Sequence, residues 1–124
     1  MMVLADTSIW IDHFRRNDAR LAQFLDQGNV AMHPFVIGEL LLGHVPKIAE
    51  MMDDLSKLPR AMVASSDEVL QFISSRKLPG SGVGYVDAHL LAAAALMPGT
   101  FVWTRDKRLL AVAQRLSLAA EVRG

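Results

Sequence analysis

Two short apolar runs, Met2-Val-Leu-Ala5 and Thr100-Phe-Val-Trp-Thr104, are each followed within two residues by an aspartate, Asp6 and Asp106, that opens a helical pattern. A short apolar run closed by a helix-capping residue reads as a buried strand entering a helix. The chain between repeats the alternation. Helices are expected from Ser8 to Arg15 and from Asp18 to Asp26, then a strand over Val30 to Met32. His33-Pro34 opens a helix to Gly43, with Pro34 suited to its first turn. Pro46 opens another, to about Leu58. A weak strand over Ala61 to Ala64 precedes a helix from Ser65 to Lys77, a loop from Leu78 to Gly82, and a strongly apolar helix from Gly84 to Met97. A helix from Asp106 to Leu116 and an edge strand over Ala119 to Val122 close the chain. Strands alternating with helices predict an α/β domain whose mostly parallel sheet is covered on both faces.

At 124 residues, with 52% hydrophobic and 21% charged side chains, the chain has the make-up of one compact domain, residues 1–124. It has no cysteine. Disulfides, thiolate zinc sites and cysteine nucleophiles are thereby excluded, and a reducing cytoplasm is the expected compartment. The apolar stretch Leu90 to Met97 falls far short of the roughly 20 residues of a membrane span. Net charge is zero, so composition does not announce a nucleic-acid partner. Bases nevertheless cluster at Arg15, Arg16 and Arg20, and at Arg105, Lys107, Arg108, Arg115 and Arg123. Such clusters serve either as solvated faces or as phosphate contacts.

The acids are placed more tellingly. Glu39 is the only Asp, Glu, Lys or Arg between Asp26 and Lys47, and Asp87 the only one between Lys77 and Arg105. Asp6 is the only one in the first eleven residues. A carboxylate left unpaired in apolar surroundings costs several kcal/mol in effective terms. No Lys or Arg lies within a helical turn of Glu39 or Asp87, so local ion pairing is excluded, and a hard divalent cation such as Mg²⁺ or Mn²⁺ is the economical partner. Asp6 and Asp106 both follow strands, at the edge where open α/β sheets bind ligands. Plainer roles stand beside this one. Asp6 and Asp106 also suit helix caps, Glu39 a protonated buried acid, and Asp87 a cap or a partner of a distant Arg.

Other motifs are weaker. Gly80-Ser-Gly-Val-Gly84 lacks the preceding strand and the lysine of a phosphate loop. His13, His33, His44 and His89 show no metal-ligand spacing and read as surface or capping residues. Ser8, Ser65 and Ser81 lack a nucleophile elbow. Trp10, Trp103 and Tyr85 read as core or rim.

Four stretches carry a resemblance: Leu4-Ala-Asp-Thr-Ser-Ile-Trp-Ile-Asp12, His33-Pro-Phe-Val-Ile-Gly-Glu-Leu40, Gly82-Val-Gly-Tyr-Val-Asp-Ala-His-Leu-Leu-Ala92 and Trp103-Thr-Arg-Asp-Lys-Arg-Leu109. In order and spacing they resemble the PIN-domain ribonucleases, specifically the VapC-type toxins of bacterial toxin–antitoxin pairs. The resemblance implies a three-layer α/β/α sandwich with a mostly parallel central sheet. It implies a Mg²⁺- or Mn²⁺-dependent endoribonuclease whose acidic positions are Asp6, Glu39, Asp87 and Asp106, with Thr7 and Thr104 as supporting hydroxyls. Water would attack RNA to leave a 5′-phosphate and a 3′-hydroxyl. Arg105, Lys107 and Arg108, beside Asp106, are then expected backbone contacts. A homodimer and a small VapB-like antitoxin are the implied partners.

Two enzyme rivals also begin with an acid after a first strand. A haloacid-dehalogenase-type phosphatase needs a second Asp where Ser8 stands, and a response-regulator receiver needs an acidic pair where Asp6 has only Thr7 beside it. A non-catalytic module of the same fold, binding RNA or antitoxin, is the remaining alternative.

Overall fold

In the computed structural model, which describes residues 1–122, three strands form one parallel sheet. They are β1 (Met2–Ala5), β2 (Val30–Ala31) and β3 (Thr100–Trp103), in the order β2-β1-β3. Val3 lies opposite Val30 on one side and Phe101 on the other. Val3, Leu4 and Ala5 are all fully buried. Successive strand residues point to opposite faces, so both faces of the sheet are covered.

Seven helices connect and cover these strands: α1 (Thr7–Arg16), α2 (Ala19–Asp26), α3 (Pro34–Leu42), α4 (Ile48–Ser56), α5 (Ser66–Ser75), α6 (Tyr85–Leu96) and α7 (Lys107–Arg115). α1 packs on β1 and α3, α2 on β2, α3 on α4, and α6 on both β3 and α5. The expected three-layer α/β/α arrangement with a parallel sheet is the one observed.

Two expected strands are not strands. In place of Ala61 to Ala64 there is a single parallel bridge between Met32 and Arg60. In place of Ala119 to Val122 there is one between Val102 and Ala119, closed by Val102 N–H to Leu118 O at 2.7 Å and Ala120 N–H to Val102 O at 2.8 Å. Both segments run along the sheet edges but diverge after one pair. The helix expected from Pro46 starts at Ile48, because Lys47 takes a left-handed conformation, φ 61°, that interrupts the first turn.

From β1 the chain moves outward to β2, then crosses back to place β3 on the other side of β1. The strand order therefore reverses at β1, and the ends of β1 and β3 flank a topological switch point. Asp6 and Asp106 follow those two ends. α6 brings Asp87 to the same region. Its residues Ala88 through Ala94 are all buried, four of them alanines, as in a helix enclosed on all sides. The small side chains let α6 lie close to β3 and α5. Ala93 is fully buried. Ala93→Leu should therefore overpack this contact and lower unfolding free energy by about 1–3 kcal/mol in urea denaturation.

Candidate active site

Asp6 and Asp106 are both N-caps. Asp6 caps α1, its Oδ1 accepting from Ile9 N–H at 3.2 Å and from the Ser8 hydroxyl, while its Oδ2 accepts from the Thr104 hydroxyl. Asp106 caps α7, its Oδ1 accepting from the N–H groups of Arg108 at 2.9 Å and Leu109 at 3.0 Å. Thr104 Oγ1 also accepts from Asp106 N–H at 3.0 Å, so one hydroxyl ties together the ends of β1 and β3. Asp6 is 5% exposed. Burial raises its proton affinity, against hydrogen bonds from Ser8, Thr104 and the backbone that lower it.

Glu39 lies on the exposed face of α3, contrary to its expected burial. Val36 and Leu40 turn into the core, and Glu39 Oε1 instead accepts from the Thr7 hydroxyl at 2.7 Å. Asp87, in the first turn of α6, is half-buried. Its carboxyl is pushed up to about 6, first by burial and then by the charges of Asp6, Asp106 and Glu39. Asp6, Asp106 and Glu39 thus lie within electrostatic reach of Asp87. The alternative roles for Asp87 find no support, since α6 is capped by Gly84 and no ion pair to Asp87 forms among the described residues.

The donor set is all hard oxygen. Among the described residues, Glu39 Oε2, Asp106 Oδ2 and both oxygens of Asp87 receive no protein hydrogen bond. Those four atoms suit a hard cation that retains some of its waters. As placed, no three acids or imidazoles among the described residues are close enough to chelate one ion. A hollow of about 840 Å³ between β3, α7 and residues 117–122 touches this site only through Thr104.

The basic residues divide. Arg105, expected at an RNA backbone, pairs instead with Asp12 through Nη1 and with Asp18 through Nη2, and its N–H donates to Ser8 Oγ at 3.2 Å. Burial would raise Asp18, but hydrogen bonds from Arg105, Arg20 and the backbone hold it at about 2. Arg105 is thus a clamp that fixes the β3–α7 turn, and hence Thr104 and Asp106, against α1 and α2. Lys107 and Arg108 are exposed in the first turn of α7. Ser8, Asp12 and Asp18 are supporting residues that pattern reading missed. Ser8, a hydroxyl two residues after Asp6, was the one with a local turn signal.

The histidines behave differently from one another. His33 caps α3, its Nδ1 accepting from Phe35 N–H at 3.0 Å, and it is fully buried. Burial and the neighbouring His89 lower it to about 4. His89 is buried too, with ring centroids 4.5 Å from Phe35 and 4.8 Å from Tyr85. This aromatic packing joins α3 to α6, the helices that carry Glu39 and Asp87.

A parallel α/β domain with an aspartate after each of the two strands at its switch point is the class that fold and site define. A family model described as PIN domain matches residues 3–115, and the chain belongs to that family, among its VapC-type members. Two relatives from Mycobacterium tuberculosis, strains CDC 1551 / Oshkosh and ATCC 25618 / H37Rv, both named Ribonuclease VapC32, are 45% identical over 123 residues, covering 98% of this chain and 99% of each relative. The crystal structure of DNA-bound VapBC from Salmonella typhimurium matches with a TM-score of 0.69 at 17% identity, over 90% of this chain and 91% of that one. PAE2754 from Pyrobaculum aerophilum matches at 0.59 and 21%, over 97% and 88%. At such identities the two structures show a shared fold.

The raised Asp87 carboxyl sets a pH dependence. Its folded proton affinity exceeds the unfolded value of 3.8, so metal-free stability from this group is greatest near pH 4 and is lost as pH rises to about 6. His33 acts oppositely over the same window, because its lowered affinity removes stability as pH falls from 6.5 towards 4. The difference between wild type and Asp87→Asn isolates Asp87. In EDTA at pH 7 the variant should be more stable by about 2 kcal/mol, with the difference vanishing near pH 4, in denaturant melts across pH.

Proposed function

We propose that the protein is a divalent-metal-dependent endoribonuclease acting as the toxin of a toxin–antitoxin pair. The observation that carries this reading is the placement of Asp6 and Asp106 at the adjacent ends of β1 and β3, with Asp87 half-buried beside them and raised first by burial and then by the charges of Asp6, Asp106 and Glu39. A half-buried carboxyl with no ion-pair partner and three other acids near it does not serve stability, since burial and those charges both oppose its ionisation. The full-length likeness to relatives named Ribonuclease VapC32 supports RNA as substrate.

Glu39, Asp87, Asp106 and Asp6 would hold Mg²⁺ or Mn²⁺, which when bound lowers the pKa of a coordinated water and offsets charge on the phosphate oxygens. Thr7 fixes Glu39 and Thr104 fixes Asp6, so the acids keep their places when the cation and a polyanion arrive. Water adds its oxygen to phosphorus as the bond to O3′ breaks. The proton goes to O3′, leaving a 3′-hydroxyl and a 5′-phosphate. Lys107 and Arg108 contact the RNA backbone, whereas Arg105 serves as the clamp.

By the same likeness, and by the fold shared with VapBC, the protein pairs with a small VapB-like antitoxin and acts as a cytoplasmic homodimer. The wide spacing of the acids favours one other reading, a non-catalytic module that binds RNA or antitoxin.

RNA turnover separates the two readings. With Mg²⁺ or Mn²⁺ the wild type should cleave RNA and EDTA should abolish cleavage. Asp6→Asn, Glu39→Gln, Asp87→Asn and Asp106→Asn should each lose about 100-fold or more in rate while circular dichroism stays native. Wild-type rates in Asp87→Asn would remove the ribonuclease reading.

A further inference from the structure

A second feature adjoins the acids without belonging to them. A groove of about 710 Å³ runs between α7 and the chain linking α5 to α6. Four bases line it, Lys77, Lys107, Arg108 and Arg115, and no acid does. All four are exposed. The remaining lining, which includes Pro79, Gly80, Ala111 and Val112, is small and uncharged.

The groove is built from defined contacts. Arg115 donates from Nη1 to the carbonyl of Arg76 at 3.0 Å and from Nη2 to that of Lys77 at 3.3 Å, fixing one wall to α7. Arg108 lies across Gly82, where a Cβ would come within 2.7 Å of its Cδ. Gly82 also takes φ +84°, a conformation that favours glycine, so the site has two reasons to exclude a side chain. At this end the groove meets the acids, because Arg108 N–H caps onto Asp106 and the Gly82 turn leads into the helix of Asp87. From Lys107 to Arg115 the helix advances about 12 Å. That is the length of roughly three to four stacked nucleotides at ~3.4 Å per step.

Resting on the ribonuclease reading, we propose that this groove is the track for RNA phosphates flanking the cleaved bond. The charge is one-signed and continuous with the site where the scissile phosphate must sit, which a polyanion matches. The lining offers no aromatic face and no side-chain amide or carboxylate to read bases. Its contacts with the strand are therefore chiefly to phosphate, through the four cationic side chains.

Binding of a fluorescent 12-nucleotide oligouridine, measured by anisotropy in EDTA, tests this without cleavage. The Lys77→Gln/Lys107→Gln double variant should bind about tenfold more weakly. Its plot of log affinity against log salt should be shallower by about 1.4, the loss of two phosphate contacts to a single strand. An Arg15→Gln/Arg16→Gln control, at the far end of α1, should match wild type. Wild-type affinity and slope in the groove variant would overturn the proposal, as would an equal loss in the control. Failure of the ribonuclease reading shows separately, as wild-type protein that binds RNA and never cleaves it.

Discussion

The burial of Asp87 near three other carboxylates is the constraint around which the site is built. Asp6, Asp106, Glu39 and Asp87 arrive from the ends of two strands and from two helices, and Asp87 is harder to ionise first because it is buried and then because the other three lie near it. Left to itself such a cluster would splay its supports apart. Each support is instead tied down. Thr104 joins the ends of β1 and β3, Thr7 holds Glu39, and the Arg105 clamp braces the β3–α7 turn against α1 and α2. The aromatic and histidine packing between α3 and α6 braces the two helices that carry Glu39 and Asp87. Asp87 alone has no hydrogen bond to offset its burial, and it carries most of the strain.

Capping and ligand binding are not competing roles for Asp6 and Asp106. Asp106 caps through Oδ1 and keeps Oδ2 without a protein donor, so one side chain orders the helix start and still faces outward chemically. Asp6 is more fully committed, with both oxygens engaged. The two aspartates therefore differ in what each can lend to a cation. Arg105 shows a similar economy, since a base beside the acids is removed from their electrostatic field by two acids of its own.

Much of this was legible from apolar runs and their punctuation. β1, β3 and α6 announced themselves because long-range burial leaves a local mark, an uncharged stretch between capping or turn residues. The isolation of Asp6, Glu39 and Asp87 among uncharged neighbours drew attention to them for the same reason. What failed depended on distant partners. The pattern around Glu39 could not say which face of α3 is open, and it is Val36 and Leu40 that fill the core. Arg105 looked like its neighbours Lys107 and Arg108, yet its acids lie 93 and 87 residues away in sequence. Residues 61–64 and 119–122 have strand-like composition, yet the first segment pairs only just before it, at Arg60, and the second only at Ala119, which tertiary placement decides.

The central claim, that four acids share one field which a divalent cation relieves, is met most directly by carboxyl ¹³C NMR of Asp87 across pH, first in EDTA and then in Mg²⁺. In EDTA the Asp87 carboxyl should titrate near 6. With Mg²⁺ its midpoint should fall by more than one unit, because a bound cation favours the ionised form. An ordinary midpoint near 4 in EDTA, unmoved by Mg²⁺, would show that the acids neither share a field nor hold a cation.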